Sequence, residues 1–193
     1  MKKVILLGAG GHSKVLLDVI KTLKLPIIGV CDPILYKKGK KFWRGLKVLG
    51  NDDFLNSQDP EFITLVNGIG LKNKDRKAIF CKMKNLGFSF ESLIHPSAWI
   101  SDSVKLGQGV QIMAGVNVQA DCQIGENSIL NTGSQIDHDC RIGSHVHICP
   151  GTVLCGDVGI ADLVFVGAGT TILPKVEVAS GRFIKAGSLI KVE

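Results

Sequence analysis

Aromatic residues are scarce in this chain: 6% of 193 residues, with a single Tyr and two Trp. The lysines sit in mixed, helix-like or turn-like segments with few aromatics among them, so no nucleic-acid partner is expected. Long apolar runs are missing too. None approaches the roughly 20 residues of a membrane span, and the run after Met1-Lys2-Lys3, Val4 to Leu7, is too short for a secretory signal core. Six cysteines include no Cys-x-x-Cys pair, which argues against a zinc knuckle. The expectation is a cytoplasmic chain with reduced thiols and no membrane insertion.

Charge is present but divided. Residues 1–94 hold 17 Lys and Arg against 8 Asp and Glu, whereas residues 95–193 hold 6 against 9. The basic half lies in helix-like and turn-like segments. It reads as a solvated surface that favours anionic small molecules.

What the chain has in abundance is a period of six. From Ile100 to Ile190 every sixth residue is aliphatic without a skip, including Leu106, Ile112, Val118, Ile136 and Val166. If one residue in three were aliphatic, so long a series would arise by chance with odds on the order of 1 in 10⁷, so this is an internal repeat. Six fits neither 3.6 nor 2. It fits a parallel β-helix, in which each unit supplies one short strand and one corner and three units close a coil. The fifth position of each unit is small or β-branched, as at Val110, Cys122, Ser134 and Cys140. The second is often glycine, as at Gly107, Gly125, Gly143 and Gly167, which is expected to ease the corner backbone. At a strand spacing of about 4.8 Å, five coils make a column roughly 25 Å tall. Cys122, Cys140, Cys149 and Cys155 all occupy small positions of the repeat and are explained by packing.

The first half reads as strand, glycine turn, helix, strand. Val4 to Leu7 is a buried strand, Gly8-Ala9-Gly10-Gly11-His12-Ser13 a turn, and Lys14 to Leu25 a helix ended by Pro26. A second strand, Ile27 to Cys31, delivers Asp32, and a third, Phe62 to Val66, runs into Asn67-Gly68-Ile69-Gly70 before a helix-like Lys72 to Leu86. Such an order implies a small parallel sheet with its crevice at the strands' carboxyl ends. Amides at the first helix's start suit a diphosphate, and a strand-end carboxylate suits ribose hydroxyls. Ser13 replaces the third glycine of a dinucleotide fingerprint, so a turn that merely joins strand to helix remains open, and a full NAD site is not expected. Pro96 sets the chain extended after His95, which reads as a hydrogen-bonded junction residue. The expected domains are 1–93 and 94–193.

Polar residues gather within the column at Asn131, Asp137-His138-Asp139, His145 and His147. His138 stands third in its unit, where the apolar period does not require it. A histidine bracketed by carboxylates is set up as a base, because an acid on one ring nitrogen fixes the tautomer and raises the basicity of the other. His145 is expected at the surface or in a subunit contact. The spacing of His138, His145 and His147 does not suit a metal, so none is expected. Cys140, in a packing slot, is not placed as a nucleophile.

Gly8-Ala9-Gly10-Gly11-His12, Asp32, Leu49-Gly50-Asn51-Asp52, Ile94-His95-Pro96-Ser97-Ala98, Leu130-Asn131-Thr132-Gly133, Asp137-His138-Asp139-Cys140 and the stretch His147 to Gly156 occur in order along the chain. Together they resemble the sugar O-/N-acyltransferases of the NeuD/PglD group, which act in sialic acid and bacillosamine biosynthesis. The resemblance implies a Rossmann-like domain followed by a left-handed β-helix, a homotrimer with sites between subunits, and acetyl-CoA as co-substrate. It makes His138 the catalytic base, Asp139 its orienting acid and Asn131 a positioning residue, with the Gly156 amide meeting the thioester oxygen. His147, Gly156, Ala168 and Ala186 match the coenzyme A cleft. Gly10, Gly11, His12, Asp32 and Gly70 match the nucleotide-sugar pocket. The acceptor so implied is the amine of a UDP-4-amino-4,6-dideoxy sugar, feeding a surface glycan or a nonulosonic acid. O-acetylation of a sialic or legionaminic acid and a non-catalytic sugar-nucleotide-binding role are the alternatives. Two departures from the pattern are Pro33, where some relatives carry a second acid, and an end at Glu193 without a Gly-Val-Pro-Ala tail; the latter leads to an expectation of weaker or more exposed binding of coenzyme A.

Overall fold

The computed structural model describes residues 2–191; the expectation attached to Glu193 lies outside them. The chain divides into two compact units, Met1–Ser92 and Leu93–Glu193.

In the first unit, β1 (Lys3–Leu7) is apolar from Val4 onward because it is flanked on both sides, by β2 (Ile27–Cys31) and by β5 (Ile63–Asn67), both parallel to it. Helix α1 (Gly11–Thr22) starts in the glycine turn itself, earlier than Lys14, and buries Leu16, Leu17, Val19 and Ile20. Its N-cap, Gly10, supplies no side chain, and its first turn holds no acid. The positive end of the helix is therefore not neutralised by its own residues.

Between β2 and β5 lie elements absent from the sequence reading: α2 (Pro33–Lys37), β3 (Phe42–Trp43), β4 (Leu46–Gly50) and a 3-10 turn, Asp52–Ser57. Arg44 (φ 46°) and Gly45 (φ 84°) form a two-residue hairpin turn in the left-handed region. With α3 (Asn73–Asn85) and β6 (Ser89–Phe90), the sheet has the order β3-β4-β2-β1-β5-β6, antiparallel only between β3 and β4. Its core includes Ile5, Leu7, Leu65, Phe80 and Phe90, the last two with ring centroids 4.3 Å apart.

The second unit is a left-handed β-helix of two-residue parallel strands. They stack as three faces of six, six and five strands. The first face runs from Leu93–Ile94 through Ile129–Leu130 and His147–Ile148 to Phe183–Ile184. The second runs from Trp99–Ile100 through Gln135–Ile136 to Leu189–Ile190, and the third from Lys105–Leu106 through Arg141–Ile142 to Glu177–Val178. Residues 18 apart pair across neighbouring coils, as Gln135 does with Val153.

First- and fifth-position side chains fill the interior, Ile112, Val116, Leu130 and Val146 all at 0% exposure. Each such side chain contributes about 1.5–3 kcal/mol by leaving water. Polar fifth-position groups are satisfied from inside the wall: Ser128 Oγ donates to the Gly143 carbonyl at 2.8 Å, Cys122 Sγ to Asp137 O at 3.0 Å and Cys140 Sγ to Cys155 O at 3.2 Å. Ser134 Oγ is the exception, the one buried side-chain polar atom among the described residues with no partner.

The second-position glycines do not serve the role expected of them. The left-handed corner residue is the fourth of each unit, as at Asp121, Asp139 and Asp157 with φ near 60°. Gly107 and Gly125 instead admit the next coil: a Cβ on either would stand 2.5 Å from backbone atoms at Glu126 or Gly143.

Candidate functional site

His138 lies at the corner between the second and third faces, its side chain 59% exposed. The preceding Asp137 accepts from the His138 backbone N–H at 2.9 Å. Asp139, in the left-handed region at φ 60°, brings its carboxylate back onto the ring, Oδ2 2.7 Å from His138 Nδ1. A carboxylate only accepts, so Nδ1 carries the proton and Nε2 is left basic. This hydrogen bond, together with the charge of Asp137, raises the imidazole above its ordinary range. The next coil secures the corner. Asp157 N–H donates to the His138 carbonyl at 2.9 Å. Arg141 in turn holds Asp157 and Glu177, each at 2.7 Å, and its hydrogen bond keeps Asp157 below the usual carboxylate range.

Gly156 stands on that next coil, and the imidazole of His138 rests against it. Among the described residues nothing accepts from the Gly156 N–H. The Cys140 thiol is pushed up by its contact with Cys122 and by burial, which keeps it protonated beside the histidine rather than nucleophilic.

Asn131 lies at a different corner, between the first and second faces, and His147 stands beside it on the first face. Asn131 Nδ2 lies 3.2 Å from His147 Nε2, and its Oδ1 accepts from Thr132 N–H at 2.8 Å. The His147 ring is buried and sets its edge on Phe165, which stacks on Phe183 at 5.1 Å. Ala168 and Ala186 are exposed on this same corner on successive coils, joined by Gly187 N–H to the Ala168 carbonyl at 2.9 Å. One chain thus brings His138, Asp139 and Gly156 together, and separately Asn131 with His147 and Ala168 with Ala186. The width of the second face keeps the two groups apart.

His145, expected at the surface or in a subunit contact, is buried within the chain at 4% exposure, with Nδ1 2.9 Å from Asn127 Nδ2. Asn127 and His145 stack as fourth-position residues of neighbouring coils, so each covers the other. His95 does have local partners at its Nδ1: the Ser97 N–H at 3.1 Å and the Ser97 hydroxyl at 2.8 Å. Among the described residues no group of three His, Cys, Asp or Glu is placed to hold a metal ion, and no helix is long and apolar enough to cross a membrane.

In the first unit Gly10, Gly11, His12, Asp32 and Gly70 gather at the carboxyl end of β1. Gly10 and Gly11 face open space, and His12 lies over Gly70, where a Cβ would come within 2.6 Å of the histidine's own Cβ. Ser13, in the place of a third glycine, donates to the Gly68 carbonyl at 3.1 Å. Asp32 Oδ2 accepts from Ala9 N–H and Oδ1 from Leu35 N–H, both at 2.8 Å, so the carboxylate pins the glycine turn and caps α2 before any ribose is considered.

Beside this turn lies a cavity of about 370 Å³, walled by Leu7, Gly8, Pro33, Ile69, Ala78 and Ile79, with Asp52, Asp75 and Lys82 as its polar members. The sequence reading assigned no role to those three. Asp52 stands in the motif Leu49-Gly50-Asn51-Asp52 and follows a strand end much as Asp32 follows Cys31, the signals that single it out.

Comparison with known proteins places both units. The PglD N-terminal domain model matches residues 3–83 and the GMPPB C-terminal domain model residues 88–186. PerB from Caulobacter crescentus, solved with CoA and GDP-perosamine, is 33% identical over 99% of this chain and 89% of its own, with a TM-score of 0.90. The acetyltransferase domain of PglB from Neisseria gonorrhoeae, solved with acetyl coenzyme A, is 33% identical over 98% of this chain and 92% of its own, with a TM-score of 0.89. An uncharacterised protein of Acanthamoeba polyphaga mimivirus is 29% identical over 129 residues, 66% of this chain, which spans about a quarter of that relative, 24%. Sharing a third of its residues with such enzymes along almost its whole length, the chain belongs to the NeuD/PglD-type sugar acetyltransferases, a family dependent on acetyl-CoA.

Proposed function

We propose that this protein N-acetylates the amine of a nucleotide-linked amino sugar by direct transfer from acetyl-CoA, with His138 as the base. The observation that carries the reading is the His138–Asp139 hydrogen bond of 2.7 Å beside the unpartnered Gly156 N–H. The amine nitrogen forms a bond to the thioester carbonyl carbon while Nε2 of His138 takes its proton. The Gly156 N–H stabilises the negative charge on the thioester oxygen. The carbon–sulfur bond then breaks and the thiolate leaves, to be protonated from the imidazolium. Family relatives crystallised with a nucleotide sugar support the substrate class. Among them is a perosamine N-acetyltransferase studied with one histidine replaced by asparagine or alanine.

The column is read as one of three in a homotrimer. Asn131, with His147 beside it, stands at the far corner of the second face from His138, so one chain's base and another chain's asparagine meet only across a subunit boundary. Ala168 and Ala186 keep that corner small and open, which suits a pantetheine arm. Product enters surface-glycan or nonulosonic-acid assembly.

The test is thiol release and product mass after mixing the protein with acetyl-CoA and one acceptor: a UDP-4-amino-4,6-dideoxy sugar, GDP-perosamine, or free sialic acid. One acetyl group gained on the amine of either nucleotide sugar is the expected result. Acetylation of sialic acid alone would move the protein to O-transfer, and no thiol release with any acceptor would refute the enzymatic reading.

A further inference from the structure

We propose that the cavity beside Gly8 is a guanine pocket, in which Asp52 accepts from the N1–H and the 2-amino group of the base and Lys82 donates to its O6. This deepens the proposed function and rests on reading the first unit as the nucleotide-sugar site.

The cavity joins two kinds of surface. Leu7, Pro33, Ile69, Ala78 and Ile79 offer apolar contact to a flat ring, and about 370 Å³ is room for a purine with part of its ribose. Polarity enters through three side chains. Asp75 belongs to the helix surface, 61% exposed and 3.9 Å from Lys72. Asp52 and Lys82 remain. Among the described residues no hydrogen-bond donor reaches the Asp52 carboxylate and no acceptor reaches Lys82 Nζ. Burial is the main influence raising the Asp52 carboxyl, with Asp53 and Asp32 adding to it and Lys82 opposing. A half-buried, under-compensated carboxylate gains most from a ligand that brings two N–H groups.

Base chemistry then selects. Guanine presents two adjacent donors beside one acceptor, which matches two carboxylate oxygens beside an ammonium. Uracil has a single N–H between two carbonyls and would set an oxygen against Asp52. Adenine and cytosine place a ring-nitrogen acceptor next to their amino group and meet the same repulsion. Asp32 already accepts one backbone N–H on each oxygen, from Ala9 and Leu35, whereas among the described residues no donor reaches Asp52. Gly8 lines the cavity and is three residues from the start of α1 at Gly11, where first-turn amides suit the diphosphate of the same ligand.

Calorimetric titration of the intact protein with free GDP, IDP and UDP tests the assignment. IDP differs from GDP only in lacking the 2-amino group, so the comparison needs no variant. GDP is expected to bind about tenfold or more tighter than IDP, because a site built around an N–H rejects the analogue without it, and tighter again than UDP. Asp52→Asn should bring GDP down to the IDP level. Lys82→Met should weaken GDP and IDP alike, since both carry O6. Equal binding of GDP and IDP to the unmodified protein, or UDP binding as tightly as GDP, overturns the guanine pocket and leaves the acetyltransferase reading intact. Failure of all three nucleotides to bind overturns both the pocket and the reading of the first unit as the nucleotide-sugar site.

Discussion

Gly156 has no side chain where His138, on the neighbouring coil, lays its ring: a Cβ at position 156 would stand 2.7 Å from Cε1 and 2.8 Å from Nε2 of the imidazole. The residue proposed to offer its N–H to the thioester oxygen is thus also the floor against which the proposed base rests. Gly156→Ala is expected to push the ring off its seat and to cut kcat by about 10² or more, on the scale of misplacing a catalytic group by an ångström. His138→Ala should cost at least about 10² in kcat through loss of base catalysis. Circular dichroism separates these effects from misfolding, and near-normal turnover in His138→Ala would remove it from the role of base.

The pH profile follows from the same corner. Asp139 and Asp137 favour the His138 imidazolium over the neutral imidazole, so its ionisation lies above the ordinary histidine value. A base works only unprotonated, so kcat/KM should rise with pH through that raised value. Asp139→Asn removes the main cause. Its acid limb should move to lower pH while the plateau falls, because the tautomer is no longer fixed. An unmoved limb, read from kcat/KM between pH 5 and 9, would mean that another group titrates.

Separation of Asn131 from His138 on one chain makes the subunit arrangement testable by mixing. His138→Ala and Asn131→Ala chains, each inactive alone, should regain about a quarter of wild-type sites when co-assembled at equal ratio, if each site draws one residue from each neighbour in a cyclic trimer. No recovery, with mixed trimers demonstrated by mass spectrometry, would place both residues in one chain's site.

Two buried serines of the same repeat position make a stability contrast. Ser128 Oγ donates to Gly143 O at 2.8 Å and accepts from Val146 N–H at 3.0 Å, whereas Ser134 Oγ has no partner. Ser128→Ala is expected to lose about 1–2 kcal/mol in urea denaturation, and Ser134→Ala to be neutral or to gain about 1 kcal/mol, since it deletes an unsatisfied buried hydroxyl.

The column was legible because its rule is written in every unit: an aliphatic every sixth residue has no use unless the chain coils. Strand β2 was equally plain, an apolar run between Pro26 and Asp32. The β3–β4 hairpin was not, because its turn is Arg44-Gly45, and arginine at positive φ carries none of the signal of Asn-Gly. His145 was not legible as buried, because Asn127 on the adjacent coil covers it, a contact 18 residues away. Asp32 and Asp52 illustrate the limit most sharply. Both follow strand ends. Only coordinates reveal that two backbone N–H groups occupy the first and leave the second facing a cavity.

Stacking at a fixed interval also turns residue number into an address. Eighteen more residues climb one storey on the same edge, as from His138 to Gly156, and six carry the chain around to the next wall. An insertion of six between Asn131 and His138 therefore leaves the apolar lining intact and the protein well folded, but delivers the histidine to the wrong edge. An insertion of eighteen keeps the edge and changes only the height. A length that is no multiple of six exposes the lining itself. Such a scaffold grows and shrinks in whole storeys, and its chemistry survives only the changes that leave both partners of a site on the floors where they meet.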